Sequence, residues 1–438
     1  MNREILLKSA HEDLQTKVII KNTRLLDPVN NVDEICDIKI ENGIITKIGV
    51  ISDCENFEII DGTDKITTQG FFDMHVHFRE PGFEDAEDLI TGSNAAMAGG
   101  YTGIAMMPNT EPSIDNVEIF RNLKIKCKDF LVDCHPIPAI TRMRKGDEIV
   151  DMESLLDAGA LGFTDDGTGI QKSKISLDSL IKSSNLKFPI MVHSQDNSFG
   201  NGAMNEGTVS KKHNIPGILN LVEDLMICRD IMLAEYSGGH LHIQHISTIG
   251  AVEMVRNGKK RGINITAEAT PHHFSLTDMK LAILNTNFKM APPLRTEEDR
   301  LAVIEGLKDG TIDTITTDHA PHTIEKKSLD FVKAPFGVTG LETALGVSIK
   351  YLVNNGAIDL SDLIFKLSIN PRKILKLDYE LVKVGKKANL VIFDTKTEWV
   401  VSEDKFLSKS VNNSYLGETL YGKIHYTINN NKIFRAKT

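Results

Sequence analysis

Apolar and polar positions along the chain follow two different rhythms. Over residues 18–69 the runs VIIKNTRLLD, DIKIENGIITKIG and FEIIDGTDKITTQG place β-branched residues at alternate positions, with Asn-Gly and Asp-Gly turn pairs between them. This is the sequence form of a strand meander built from hairpins. The same rhythm returns at the far end, in NLVIFD, WVVS and GKIHYTINNNKIF between about 388 and 438. One small β-sandwich-like domain made from both termini, flanking a larger insert, accounts for the symmetry; two unrelated β-extensions are the alternative. The boundaries read as 1–69 and 381–438 for the small domain, with 1–16 an extra helix or loose arm, and 70–380 for the insert.

Inside the insert the rhythm changes. Eight short apolar runs each lead into a polar or glycine-containing loop: GFFDMHVH, TGIAMMPNT, FLVDCHPIPA, ALGFTDDG, FPIMVHSQ, HLHIQHIST, INITAEATPHH and TIDTITTDHAPH. Most are followed by a helical pattern. Helices are predicted over Ala86–Ala98, ending at Gly99-Gly100, from Ser179 to Ser184 as the start of a short one, and over Ile218–Tyr236 before Gly238-Gly239. Eight strands alternating with helices predict an α/β fold, a closed (β/α)8 TIM-type barrel, with a doubly wound open sheet as the alternative. The barrel is favoured because chemically active residues sit at the C-terminal ends of nearly all eight runs, where barrel enzymes place their sites. Gln195 to Pro216 is long for a connection and reads either as a lid-like excursion or as a plain surface loop.

The strand-end residues define the candidate chemistry. In Gly70-Phe-Phe-Asp-Met-His-Val-His-Phe-Arg79, period two puts Asp73, His75 and His77 on one strand face, where imidazoles can grip a divalent cation. Further runs supply Asn109, the pair Asp165-Asp166, His193, His242 and His245, His272 and His273, and Asp318 with His319 and His322. Three imidazoles suffice for one zinc ion; four with two carboxylates suffice for two ions sharing a carboxylate. Asp165-Asp166-Gly167 also suits a simple turn, and His193 a hydrogen-bonded core position. His242 and His245 cannot both face one side of a strand, and His245, at the strand end, is the candidate. His135 reads as structural. His272 and His273 either line the mouth or pack and cap a helix. Asp318 can touch a metal and also handle protons, or merely cap a helix before proline.

Bulk properties narrow the partners. The net charge is −10 over 438 residues, without a basic block, so nucleic acid and anionic membranes are poor partners. No charge-free apolar run approaches membrane-spanning length, and the N-terminus lacks a signal-peptide core, which predicts a soluble, cytoplasmic protein. The five cysteines are scattered and never spaced C-x-x-C, as expected of reduced packing residues.

Taken in order, GFFDMHVHFREPG, MMPNT, GFTDDG, VHSQ, HIST, TPHH, PPLRTEEDR, TTDHAPH and APFGVTGLET resemble class I dihydroorotases of the amidohydrolase superfamily over nearly the whole chain. The resemblance implies two zinc ions, one held by His75, His77 and Asp318, the other by His193 and His245, with Asp166 bridging and Asp165 a substitute. Hydantoinases and allantoinases bridge their metals with a carboxylated lysine after a phenylalanine; here Thr164 follows Phe163. It further implies reversible ring opening of dihydroorotate to N-carbamoyl-aspartate, with Asp318 as the proton shuttle. His77, Arg79, Asn109 and His322 then serve the substrate, and Phe336 and Gly337 reach it through backbone. Ala291 stands where many relatives carry Asn. A hydantoinase-like hydrolase, or a non-catalytic homologue partnering aspartate transcarbamoylase, are the competing expectations, and a homo-oligomer is compatible with all three.

Overall fold

The computed structural model describes residues 9–437. Eight parallel strands run in the order Phe71–Val76, Tyr101–Met106, Asp133–Pro136, Phe163–Thr164, Pro189–Val192, His240–Ile243, Ile265–Ala269 and Thr314–Ile315. The first three pair in sequence, as do the last five. Two contacts complete the circuit. The Thr164 amide donates to Pro138 O at 3.0 Å, joining the third strand to the fourth, and a parallel bridge between Val76 and His319 joins the first to the eighth. The sheet is therefore closed, and the open-sheet alternative fails.

Helices cross between the strands, and their ends follow local chemistry. The first begins at Leu89 rather than Ala86, because the Asp88 carboxylate accepts from the amides of Ile90 and Thr91, and it ends at Gly99. Next to it, Gly100 has φ +86°, and a Cβ there would meet Val391 and Ile424 at 2.8 Å, so glycine lets barrel and terminal sheet approach. The helix Ser173–Leu186 starts six residues before the predicted Ser179. Its buried face is Ser176, Ser179, Leu180 and Ser183, a helical stripe written largely in serine and so invisible to a hydrophobic pattern. Leu221–Ser237 ends at left-handed Gly238.

Among the described residues, segments near both ends of the chain enter one nine-stranded sheet. Its order places Ile66–Gln69 between Leu390–Val400 and Lys17–Asp27, with Leu390 opposite Gln69 and Phe393 opposite Ile66. The sheet wraps a core of its own in which Val18, Ile20, Ile38 and Ile40 meet Leu390, Ile392, Ile428 and Ile433. The predicted N-terminal arm differs where it is described: Glu12–Asp13 add a short strand beside Lys432 and Ile433, and residues 1–8 lie outside the described residues. Among the described residues no helix is long and apolar enough to cross a membrane.

The Gln195–Pro216 stretch is a folded excursion. It contains the helix Thr208–His213, and Met204–Asn205 pairs with Gly217–Ile218. The buried Arg295 guanidinium anchors it by donating to Asn205 Oδ1 at 3.1 Å and Ile218 O at 2.8 Å.

Candidate active site

A cavity of about 450 Å³ opens at the C-terminal end of the barrel. Its floor carries His77, Asp166, His193, His245 and Asp318, and its walls carry Arg79, Asn109, His322, Phe336 and Gly337. His75 lies directly beneath, fully buried.

Asp166 is the centre of this group. Its Oδ1 lies 3.4 Å from His75 Nε2, 3.5 Å from His193 Nδ1 and 3.8 Å from His245 Nε2, and its Oδ2 lies 3.6 Å from His77 Nε2. Two triads capable of holding a cation, His75–His77–Asp166 and Asp166–His193–His245, thus share one carboxylate. Asp318 Oδ1 approaches from the eighth strand, 2.8 Å from His77 Nε2 and 3.6 Å from His75 Nε2. His75 Nε2 and Asp166 Oδ1 are buried without hydrogen-bond partners among the described residues. Buried polar atoms left without partners are costly, and a divalent cation bound by oxygen and imidazole is the group that fits them.

The charges agree with that geometry. Burial would raise the Asp166 carboxyl, but the neighbouring imidazoles of His75, His193 and His245 hold it well below the ordinary carboxylate range. Asp318 is likewise held down against its burial by His77 and His75. Burial lowers Arg79 to about 10, with Asp318 and Asp166 working the other way.

Strand ends bend to present these groups. His245 and Asp318 have φ of +33° and +47°, conformations unusual for residues with side chains and costing on the order of 1–3 kcal/mol each. The His245 amide is held by Glu268 Oε1 at 3.2 Å, and His319 N–H by Thr317 Oγ1 at 3.1 Å. His77 Nδ1 donates to Asn109 Oδ1 at 2.9 Å, which turns Nε2 toward Asp318. Arg79 Nε donates to Pro321 O at 3.1 Å, and its Nη2 sits 3.5 Å from His322 Nε2.

Some sequence candidates stand apart. Asp73 shares the first strand but turns to accept from the His75 and Thr317 amides, tying the first strand to the eighth. Asp165 accepts from the amides of Ile140 and Thr141 and from Thr141 Oγ1, so it braces a loop. His242 donates to Glu268 at 3.0 Å, away from the cavity. His273 donates to Pro292 O at 3.0 Å, and His319 reaches Glu87 at 3.3 Å. His135 packs against Phe72, its rings 5.7 Å apart.

Sequence reasoning missed Glu268, which accepts from His75 Nδ1 at 2.5 Å while also bonding His242 and the His245 amide. The available signal was a carboxylate inside an otherwise apolar strand run. It also missed Arg144, whose Nη1 donates to Asp166 O at 2.7 Å.

A family model described as dihydro-orotase-like matches residues 64–250. The dihydroorotase of Clostridioides difficile (strain 630) is 42% identical over 95% of this chain and 99% of its own length. That of Acetivibrio thermocellus is 42% identical over 96% of this chain and 99% of its own. Among solved structures, the L-hydantoinase (dihydropyrimidinase) of Arthrobacter aurescens superposes with a TM-score of 0.83 at 24% identity, covering 95% of both chains. The dihydropyrimidinase of Brevibacillus agri NCHU1002 also gives 0.83, at 20% identity over 96% of both. These two likenesses speak to the fold alone.

Proposed function

The chain belongs to the dihydroorotase family, and on that premise we propose that it interconverts L-dihydroorotate and N-carbamoyl-L-aspartate, the cyclisation step of pyrimidine synthesis, in the cytoplasm. The observation that carries the reading is Asp166, whose carboxylate faces the nitrogens of four histidines drawn from the first, fifth and sixth strands.

His75, His77 and Asp318 would hold one cation and His193 and His245 a second, with Asp166 common to both; zinc suits this donor set. When bound, such ions supply Lewis acidity, which lowers the pKa of water from about 15.7 to about 7 and polarises a carbonyl. Arg79 receives the substrate carboxylate through its planar fork, assisted by Asn109 and His322, while the Phe336–Gly337 backbone lies along the ring. Asp318, ionised at rest, accepts the proton of the attacking water and hands it to the ring nitrogen as the amide C–N bond breaks. In the reverse direction the same carboxylate takes the proton from the carbamoyl nitrogen, and water departs as the ring closes.

Hydantoin and allantoin hydrolysis are the competing reactions. Against them, Thr164 is buried and donates to Gln244 Oε1 at 2.9 Å, and among the described residues the ion-pair partners of Asp166 and Asp318 are histidines, with no lysine. Turnover of dihydroorotate, hydantoin and allantoin by the purified protein tests the proposal. Activity on dihydroorotate alone is expected; activity on only the other two overturns it. No turnover together with a metal-free site would favour a non-catalytic partner of aspartate transcarbamoylase.

A further inference from the structure

One wall of the cavity is an irregular segment, Phe331 to Gly337, that belongs to no helix or strand. Two lysines hold it. The Lys289 ammonium donates to Phe331 O at 2.8 Å, Val332 O at 2.9 Å and Ala334 O at 2.6 Å, and lies 4.5 Å from the centre of the Phe336 ring. The Lys327 ammonium donates to Gly337 O at 2.9 Å, Pro335 O at 3.2 Å and Lys289 O at 3.5 Å. The Gly337 amide closes the circuit on Lys289 O at 2.9 Å.

Both side chains are nearly withdrawn from water, at 2% and 6% exposure; among the described residues neither has a carboxylate within ion-pair distance, and Asp330 acts on Lys289 only from farther off. Burying an ammonium without a carboxylate is expensive, and the cost is visible at Lys327, which burial and then Lys289 push down to about 7. Carbonyl solvation has one advantage over a carboxylate counter-ion. It secures the segment without placing negative charge beside a cavity that must admit an anion, and it leaves Lys289, which lines that cavity, adding to the positive field of Arg79.

We infer that Lys289 and Lys327 are positioning residues that fix the Phe336–Gly337 wall, and through it govern substrate affinity rather than the chemical step. Only the choice of substrate in the assay rests on the dihydroorotase reading. Lys289→Met keeps an unbranched chain as far as Cε and removes the ammonium with its three donors. The expected result is a KM for dihydroorotate raised about tenfold with kcat within about threefold, as for a lost binding interaction, at unchanged metal content. Lys289→Arg, retaining charge and donors, should recover part of the loss. Amide hydrogen exchange supplies a readout independent of turnover: Gly337 should lose protection in Lys289→Met and in Lys327→Met. A folded Lys289→Met protein with KM within about twofold of the parent and a protected Gly337 amide overturns the inference. So does failure of both methionine variants to fold, which would make the lysines general supports of the fold. A parent protein inactive on dihydroorotate defeats the functional reading alone, and the exchange data still decide the role of the lysines.

Discussion

His75 Nδ1 lies 2.5 Å from Glu268 Oε1, a contact that crosses from the first barrel strand to the seventh. A carboxylate there can only accept, so a proton sits on Nδ1, and Nε2, which has no hydrogen-bond partner among the described residues, is the atom left to meet a cation beside Asp166. Through its other bonds the same Glu268 carboxylate steadies the His245 amide, so one buried group supports both halves of the candidate metal site. Glu268→Gln should weaken metal binding about 10- to 100-fold, measured by competition with a chromogenic chelator. Unchanged affinity would mean that the imidazole needs no such guide.

The two adjacent aspartates separate function from support. Asp166→Ala should lose bound metal and turnover, because it removes the one carboxylate common to both triads. Asp165→Ala should retain metal but melt earlier, since it strands the Ile140 and Thr141 amides. Metal counting by native mass spectrometry beside a thermal melt distinguishes them; the reverse pattern would exchange their roles.

Arg79→Lys should raise KM about tenfold with a smaller effect on kcat, since a point charge cannot replace a planar fork aimed at a carboxylate. Steady-state kinetics in both directions check this. An unchanged KM would remove Arg79 from the substrate's contacts.

His272 gives a pH dependence. Burial lowers it from 6.5 to about 4, Asp318 working the other way, and its Nε2 is buried without a partner among the described residues. A histidine with a depressed folded pKa is neutral in the fold, so its contribution is present above about 6.5 and is lost as pH falls toward about 4, where the unfolded chain takes up a proton the fold refuses. Chelator-treated protein should lose melting temperature over that window, and His272→Gln should lose less. Parallel curves for the two would exclude His272 as the cause.

Much of this was legible in the sequence because it was carried by periodicity and by strand ends. Alternation in GFFDMHVH fixed the strand and put His75 and His77 on one face, and the run of polar residues closing each strand marked one end of the barrel. What stayed hidden was hidden for physical reasons. Asp73 has the same parity as the two histidines, yet its short side chain is captured by the Thr317 amide. Glu268 lies within a strand, where sequence gives no sign that a carboxylate meets an imidazole six strands away in chain order. Nothing in the sequence marks Lys289 or Lys327 as buried, and only the tertiary path of the Phe331–Gly337 segment brings carbonyls to them.

The central claim is that six side chains from five strands form a metal-dependent site for opening the dihydroorotate ring. The most direct measurement is dihydroorotate turnover by chelator-stripped protein during titration with zinc. The expected result is negligible initial activity that rises with added zinc and saturates at no more than two equivalents per chain. Full activity in the stripped protein, or no turnover at any zinc concentration, would contradict it.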